Sequence, residues 1–262
     1  TGSIGLVYHP SEWQYNINLS SGFRAPNLDD VAKIFDSEPG NVVVPNKNLK
    51  PEYLYNLDIG VNRRFGDIAK IELSAFYSYL IDAMVRRDFA LNGMDSIYYD
   101  GELSKVQAIV NTGSATIYGA SLIFDIKLFE NLAFSNVITI IEGKDNTGDP
   151  LRHAPPLYGS TNLTYEKGKL KLALGVDYNA EMSYNSLSSS ERDKAYLYAK
   201  DANGNPYSPG WWTLNFKGSY AFSPKFFTTF GVVNIMDYRY RTYSSGITAP
   251  GRNFSIAFRY TF

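Results

Sequence analysis

Cysteine is absent from this 262-residue chain, and histidine occurs twice, as His9 and His153. Without cysteine there is no disulfide framework, no thiolate metal site and no cysteine nucleophile, while the compartment stays open. Charge of one sign is also lacking: 25 Lys and Arg balance 26 Asp and Glu for a net charge of −1, which argues against a nucleic-acid partner. No apolar run approaches the ~18 residues that a spanning helix needs. No charged-then-apolar leader follows Thr1, so the chain reads as a mature product or as a piece of something longer. Catalytic signatures are missing too. No G-x-S-x-G, P-loop or H-E-x-x-H occurs, and neither histidine neighbours a Ser and carboxylate set resembling a triad. The expectation is a protein that is not an enzyme, with no catalytic residue, cofactor or metal site.

What the chain has in quantity is aromatic residues: 21 Tyr, 16 Phe and 3 Trp, although the mean hydropathy is −0.24. A wall that alternates apolar and polar faces and carries aromatic girdles accommodates that mixture. The last ten residues show the alternation most plainly. Phe254, Ile256, Phe258, Tyr260 and Phe262 fall on one side of a strand, and Asn253, Ser255, Ala257, Arg259 and Thr261 on the other. A soluble sheet seldom leaves five large apolar side chains on a terminal strand, whereas a transmembrane strand meets lipid on one face and water on the other.

Eleven strands are predicted, over 2–8, 13–23, 53–65, 69–85, 106–129, 132–141, 157–165, 170–182, 211–222, 226–235 and 253–262. Short turns at 9–11, 66–67, 130–131, 167–168 and 223–224 alternate with long polar stretches at 24–52, 86–105, 142–156, 183–210 and 236–252. Period-two patterning places Ile59, Leu73, Tyr77, Leu172, Leu174, Phe254, Ile256 and Phe258 toward lipid. It places Asp58, Glu72, Lys171, Asp177 and Arg259 in the lumen. Arg63 interrupts an apolar face near a short-turn end, where a long side chain reaches water. Strand 132–141 alternates too poorly for its faces to be assigned. Short periplasmic turns and long extracellular loops set the orientation.

The fold class is therefore all-β, an antiparallel transmembrane β-barrel. An odd strand count means that strands are missing before Thr1, because closed barrels from one chain have an even number. The edges at 2–8 and 253–262 would then be unpaired, which lipid does not tolerate, so a chain left alone is expected to close on itself or to pair with another copy.

Four motifs in order identify the family. Ser21-Gly22-Phe23-Arg24-Ala25-Pro26-Asn27-Leu28 and Asn46-Lys47-Asn48-Leu49-Lys50-Pro51-Glu52 resemble the paired "GFRAPNL" and "NPNLKPE" signatures of TonB-dependent outer-membrane transporters. Asn111-Thr112-Gly113 through Ile117-Tyr118-Gly119-Ala120-Ser121 is similar to the family's "N…G…GVE" strand. Val233-Asn234-Ile235-Met236-Asp237-Tyr238-Arg239-Tyr240, then Pro250-Gly251-Arg252-Asn253-Phe254, is similar to "NLFDxxY…PGR". The resemblance implies residues 1–262 as the last eleven strands of a 22-stranded barrel, with the plug domain and the first strands absent. It implies as partners the plug of the same protein, a TonB-type energy-coupling protein reached through the absent N-terminal part, the barrel-assembly machinery and outer-membrane lipid. Asp58 and Ser121 match the positions of two inward glutamates that pair with plug arginines; Asp58 is one methylene shorter and Ser121 cannot carry charge. Phe258, Tyr260 and Phe262 match the C-terminal assembly signal.

The expected function is binding of a scarce extracellular ligand (iron chelate, cobalamin or oligosaccharide) and its import with energy from the inner membrane. A non-transporting binding or adhesion barrel is the rival reading. Ligand contact is assigned to Arg86, Arg87, Tyr98, Tyr99, Tyr207, Trp211 and Trp212, which combine rings with hydrogen-bonding groups on long loops. One of the two adjacent tryptophans belongs to the outer girdle, since neighbours on a strand face opposite ways. Arg152 is a further cation for an anionic chelate. Loop 24–52 reads as architectural, its path set by Pro26, Pro45 and Pro51 and anchored by Arg24. The near-copies 144–150 and 200–206 faintly resemble calcium loops but are explained as hairpin tips, and the serines at 186–190 as a flexible tip.

Overall fold

The computed structural model describes residues 1–38, 40–111 and 113–262. Eleven strands form one antiparallel sheet whose spatial order is the chain order. They are β1 (Gly2–Tyr8), β2 (Trp13–Arg24), β3 (Glu52–Phe65), β4 (Ala69–Ile81), β5 (Ser114–Phe129), β6 (Leu132–Asp145), β7 (Tyr158–Lys167), β8 (Leu170–Asn179), β9 (Trp211–Ser223), β10 (Phe226–Val233) and β11 (Asn253–Tyr260). The short turns hold the left-handed conformations that such reversals need: Gly66 and Gly168 both sit at φ 57°.

The number of wall strands agrees with the sequence reading, and several boundaries do not. The run predicted over 106–129 is two strands: Glu102–Asn111 leaves the wall, and β5 starts only at Ser114. Likewise 69–85 breaks after Ile81, where Asp82 adopts φ 54° and the chain restarts as Met84–Asp88. Asn111 holds this junction, its side-chain amide donating to the carbonyls of Asp82 at 2.6 Å and Lys50 at 3.0 Å. Thr112 of the predicted Asn111-Thr112-Gly113 motif lies outside the described residues.

Directly paired residues share a face, so the register can be followed across the wall. Asp58 pairs with Phe76, Glu72 with Ile123, Lys171 with Ser219, Asp177 with Thr213 and Arg259 with Phe227. Those positions form one continuous face. Ile59, Leu73, Tyr77, Leu172, Leu174, Phe254, Ile256 and Phe258 form the other. On the apolar face a band of rings runs along the short-turn end. Tyr8 stacks on Tyr15, Phe226 on Phe258, and the Arg63 guanidinium lies 4.5 Å from the Trp13 ring and 4.3 Å from that of Phe65. Arg63 is thus accommodated by ring faces. β6 can now be assigned as well. Asn136 stands on the apolar face, donating to Thr161 Oγ1 at 2.7 Å and Tyr178 Oη at 3.3 Å, while Val137 and Ile141 stand on the lumen face, and together they spoil the alternation.

The sheet is open. Among the described residues β1 pairs only with β2 and β11 only with β10, and both edge strands are exposed along their length. The chain therefore does not close on itself; self-closure was one of the two expected outcomes. The ladders run from β1 to β11 with irregularities only at Lys127/Phe129 and Ala221/Ser223, both beside short turns, among the described residues.

Two long loops build a second sheet above the wall. Asn41–Val43 pairs in parallel with Glu102–Asn111, which also pairs with Met84–Asp88 and Ser96–Tyr99. Val42, Val44, Val106 and Ala108 are fully or almost fully buried there, with Phe89, Leu91, Ile97 and Tyr99 packed around them. The Asn46–Glu52 motif locks this rim sheet to the wall: Asn46 donates to the Ile109 carbonyl at 2.9 Å, and Lys50 N donates to Asn111 Oδ1 at 2.8 Å. Arg24 joins in through Glu52 at 3.0 Å and Asp30 at 3.2 Å.

The other three long loops meet at Glu191, which is completely buried. Its carboxylate accepts from Arg152 and Tyr198 and from Ser244 Oγ at 3.3 Å, one donor from each of the loops that converge on it. The reading of 186–190 as a flexible tip is overturned. Leu187 and Ser188 are buried, and Ser189 donates twice to Asp149, by its backbone at 3.1 Å and its hydroxyl at 2.8 Å. Beside this cluster, burial and then the Glu191 charge push the Tyr243 phenol up to about 12.

Two outcomes follow for the full-length protein. Glu191→Ala leaves Arg152 without its buried partner, on the order of 3 kcal/mol, so loop 183–210 becomes protease-sensitive while the wall stays resistant. Tyr99→Ala loosens the rim sheet in hydrogen exchange, whereas Tyr98→Ala leaves it unchanged, because Tyr98 is 80% exposed. A third concerns pH. A phenol whose folded pKa is raised above its usual 10.0 gives stability that is intact below that value and lost as pH rises toward about 12. Loop protection should therefore fall over that alkaline window, and Tyr243→Phe should flatten the fall.

Candidate functional site

A pocket of about 360 Å³ opens at the loop end of the wall, on the same face as the lumen charges. Leu80 and Ala115, cross-strand partners on that face, line its wall side. Arg86 and Arg87 arrive on Met84–Asp88, Arg152 and His153 on the loop after β6, and Ser188 and Ser190 on the docked loop 183–210. The strand that brings the first two arginines is held by Glu52, which accepts from Met84 N at 2.8 Å.

Two of the cations in this pocket, Arg87 and Arg152, are held by carboxylates behind them. Arg87 pairs with the buried Asp145 and lies 4.0 Å from Asp149; Arg152 pairs with Glu191. Asp145 is itself fixed by a turn, accepting from Thr147 N at 2.9 Å, Thr147 Oγ1 at 2.6 Å and Asp149 N at 3.1 Å. In the second near-copy Asp201 takes the same part, accepting from the backbones of Asn203 and Asn205, both at 2.8 Å. In both repeats the aspartate caps a tip, and among the described residues no group of His, Asp and Glu is arranged to hold a metal. Burial, and after it the Arg152 charge, holds His153 below the usual imidazole range, so it is neutral at neutral pH.

The predicted contacts separate into groups. Arg86 and Arg87 come together with Arg152. Tyr98 projects from the rim sheet, while Tyr99 is partly buried against its core. Tyr207 pairs with Ala199 in a short hairpin and lines neither this pocket nor the aromatic cavity beside it. Trp211 pairs with Asn179 on the lumen face and stacks against Tyr240 with ring centroids 4.2 Å apart. Trp212 pairs with Tyr178 on the apolar face, is 53% exposed there and takes no part in a lumen site.

Asp58 and Ser121 both reach the lumen face. Asp58 accepts from Asn56 at 2.7 Å and Asn18 at 3.3 Å, and Ser121 lies 2.9 Å from the Thr139 hydroxyl. At the end of the chain Phe258 and Tyr260 stand on the apolar face, and the Phe262 ring meets Tyr260 edge-on at 5.2 Å. The "NLFDxxY…PGR"-like stretch is a closed turn: Asn234, at φ 53°, donates to Tyr238 O at 2.8 Å, and Arg252 N donates to Asp237 Oδ1 at 2.7 Å. The roles of Glu191, Asp145 and Tyr240 were not visible in the sequence. Each depends on partners from other loops, and only the repeated Asp-Asn-Gly spacing around Asp145 gave a local signal.

The family model "TonB dependent receptor-like, beta-barrel" matches residues 1–235. No curated protein matches the sequence. Among solved structures, the copper transporter OprC shares 19% identity at a TM-score of 0.77, over 99% of this chain and 39% of its own. The siderophore receptor PirA from Acinetobacter baumannii gives 19% and 0.75, over 99% and 40%. A variant of the ferric enterobactin receptor PfeA from Pseudomonas aeruginosa gives 17% and 0.74, over 99% and 40%. The chain thus spans about two fifths of the length of these relatives. With the family model covering most of the sequence, the chain belongs to the TonB-dependent receptor β-barrel family of the outer membrane.

Proposed function

We propose that this chain is the ligand-facing part of an outer-membrane receptor that captures an anionic metal chelate and passes it inward. The observation that carries the reading is the pocket where Arg86, Arg87 and Arg152 converge on the lumen side, each delivered by a folded loop. A guanidinium already positioned by a carboxylate loses little freedom on meeting a second anion, and its remaining N–H donors suit clustered oxygens. Of the three ligand classes, a neutral oligosaccharide makes least use of such a pocket. The names of PirA, PfeA and OprC, which concern siderophores, ferric enterobactin and copper, accord with a metal-bearing ligand.

In this reading the remaining strands and the plug lie outside the chain, and the open edges of β1 and β11 are where the rest of a 22-stranded barrel joins. Asp58 meets a plug arginine by exchanging its asparagine partners for a charged one. Ser121 gives at most a neutral hydrogen bond at the second position. The exposed Phe262 and its neighbours serve recognition by the assembly machinery. Import draws on a TonB-type coupling protein acting through the plug.

The test uses the full-length receptor on intact cells, with ferric tris-catecholate as the anionic probe and a neutral ferric hydroxamate beside it. Arg86→Gln should weaken binding of the anionic probe about tenfold and leave any binding of the neutral one unchanged. Equal loss for both, or no loss, rejects the pocket. Accumulation of iron inside the cell that stops when the coupling protein is deleted separates import from an adhesion barrel, in which label stays at the surface.

The same pocket has a pH signature. Because His153 titrates below its usual 6.5, its proton is disfavoured in the folded protein. Anionic-probe affinity should therefore be flat between about pH 7 and 8. It should rise only on the acid side of that value, and His153→Gln should remove the rise.

A further inference from the structure

The short turns at the periplasmic end of the wall differ in charge from one side to the other. Asp67 and Glu130 stand at the turns after β3 and β5, whereas the turns after β7 and β9 carry Lys167, Lys169 and Lys225. All three lysines are exposed, and none enters an ion pair among the described residues. The acid beside them in the chain, Glu166, is turned to the lumen face, where it pairs with Lys171 at 3.1 Å.

Register places the first of these lysines on the apolar side. Lys167 pairs with Leu170 and Leu170 with Tyr220, so the three form one row on the face that meets lipid. Lys169 crosses to the next turn, its ammonium donating to the Phe222 carbonyl at 3.2 Å. Lys225 stands at the far side of that turn, its carbonyl accepting from Thr261 N at 2.8 Å. The Phe222 ring, 51% exposed, meets Tyr220 edge-on at 4.9 Å and stacks on Phe226 at 5.2 Å.

Solvation accounts for lysines scattered around a rim. It does not account for an ammonium on the apolar face, bordered by rings and gathered with two others on turns that hold no acid. A lysine so placed lays its stem along hydrocarbon and bends its head to the interface. What it meets at that depth is the headgroup layer of the periplasmic leaflet, and three uncompensated positive charges favour a net-negative headgroup over a zwitterionic one. A soluble periplasmic protein reaches the turn tips but not the Lys167 row, which lipid covers.

We propose that the periplasmic ends of β7 to β10 form a docking surface for an anionic phospholipid. Lys167, Lys169 and Lys225 hold its phosphate, and the rings of Tyr220, Phe222 and Phe226 lie along the start of its acyl chains. This surface is at the opposite end of the wall from the arginine pocket and does not depend on it.

Native mass spectrometry tests this on the full-length receptor, released from micelles that hold equal amounts of phosphatidylglycerol and phosphatidylcholine with matched chains. The complex with one phosphatidylglycerol should outnumber that with one phosphatidylcholine about threefold. Lys167→Gln, Lys169→Gln and Lys225→Gln together should bring the ratio near one. The same three changed to Arg should keep it, which separates loss of charge from loss of fold. Lys33→Gln, Lys47→Gln and Lys200→Gln remove equal charge from the outer loops and should leave the ratio unchanged. No preference in the unaltered receptor overturns the proposal. So does a preference that survives the turn glutamines, one that falls equally with the turn arginines, or one that the outer-loop changes remove as bulk charge would.

Discussion

Every backbone polar group of a lipid-embedded strand must find its partner in another strand, and the rest of this molecule is arranged around that requirement. Once neighbouring strands are bonded in register, side chains have two faces to choose from, and each residue type follows. Asp58, Glu72, Lys171, Asp177 and Arg259 share one face because a slip of one residue would turn them all to hydrocarbon. The wall itself is chemically plain. Its contribution to function is to hold the ten strand ends between which the five long loops run.

Those loops are folded too, by different means. The rim sheet has a small dry core of valines and alanine, the ordinary driving force of a soluble domain. The loops on the other side have little apolar surface to bury and are organised around a carboxylate instead. A buried charge with three donors constrains geometry more than it stabilises. This suits a surface that must present arginines at set positions. Asp145 and Asp149 do for Arg87 what Glu191 does for Arg152.

How much was legible from the sequence follows from the range of the interactions. Alternation is local, so the strands and the facing of their charges could be read directly. So could the opposite placements of Trp211 and Trp212. The poor alternation of β6 was real, and part of its cause, an outward Asn136 satisfied by Thr161 and Tyr178 on other strands, lies in no local pattern. What sets the rim strand Glu102–Asn111 apart from β5 is its pairing with Asn41–Val43 and Met84–Asp88, tens of residues away, so the segment from 106 to 129 read as one strand. The serines at 186–190 looked like a loose tip because their composition is that of one; what orders them is Asp149 and the burial of Leu187, neither a property of the segment.

The parallel pairing of Asn41–Val43 with Glu102–Asn111 bears on the order of assembly. Val42 meets Val106 across sixty-odd residues of intervening chain, about half of which is the β3–β4 hairpin. Loop closure over that span is expensive in a free chain and cheap once the hairpin stands upright beside β2. The rim is thus a late contact that reports on the registration of the wall beneath it. A wall strand set one step out of place would leave the rim halves mismatched, so the pairing of the rim and the register of the wall are coupled.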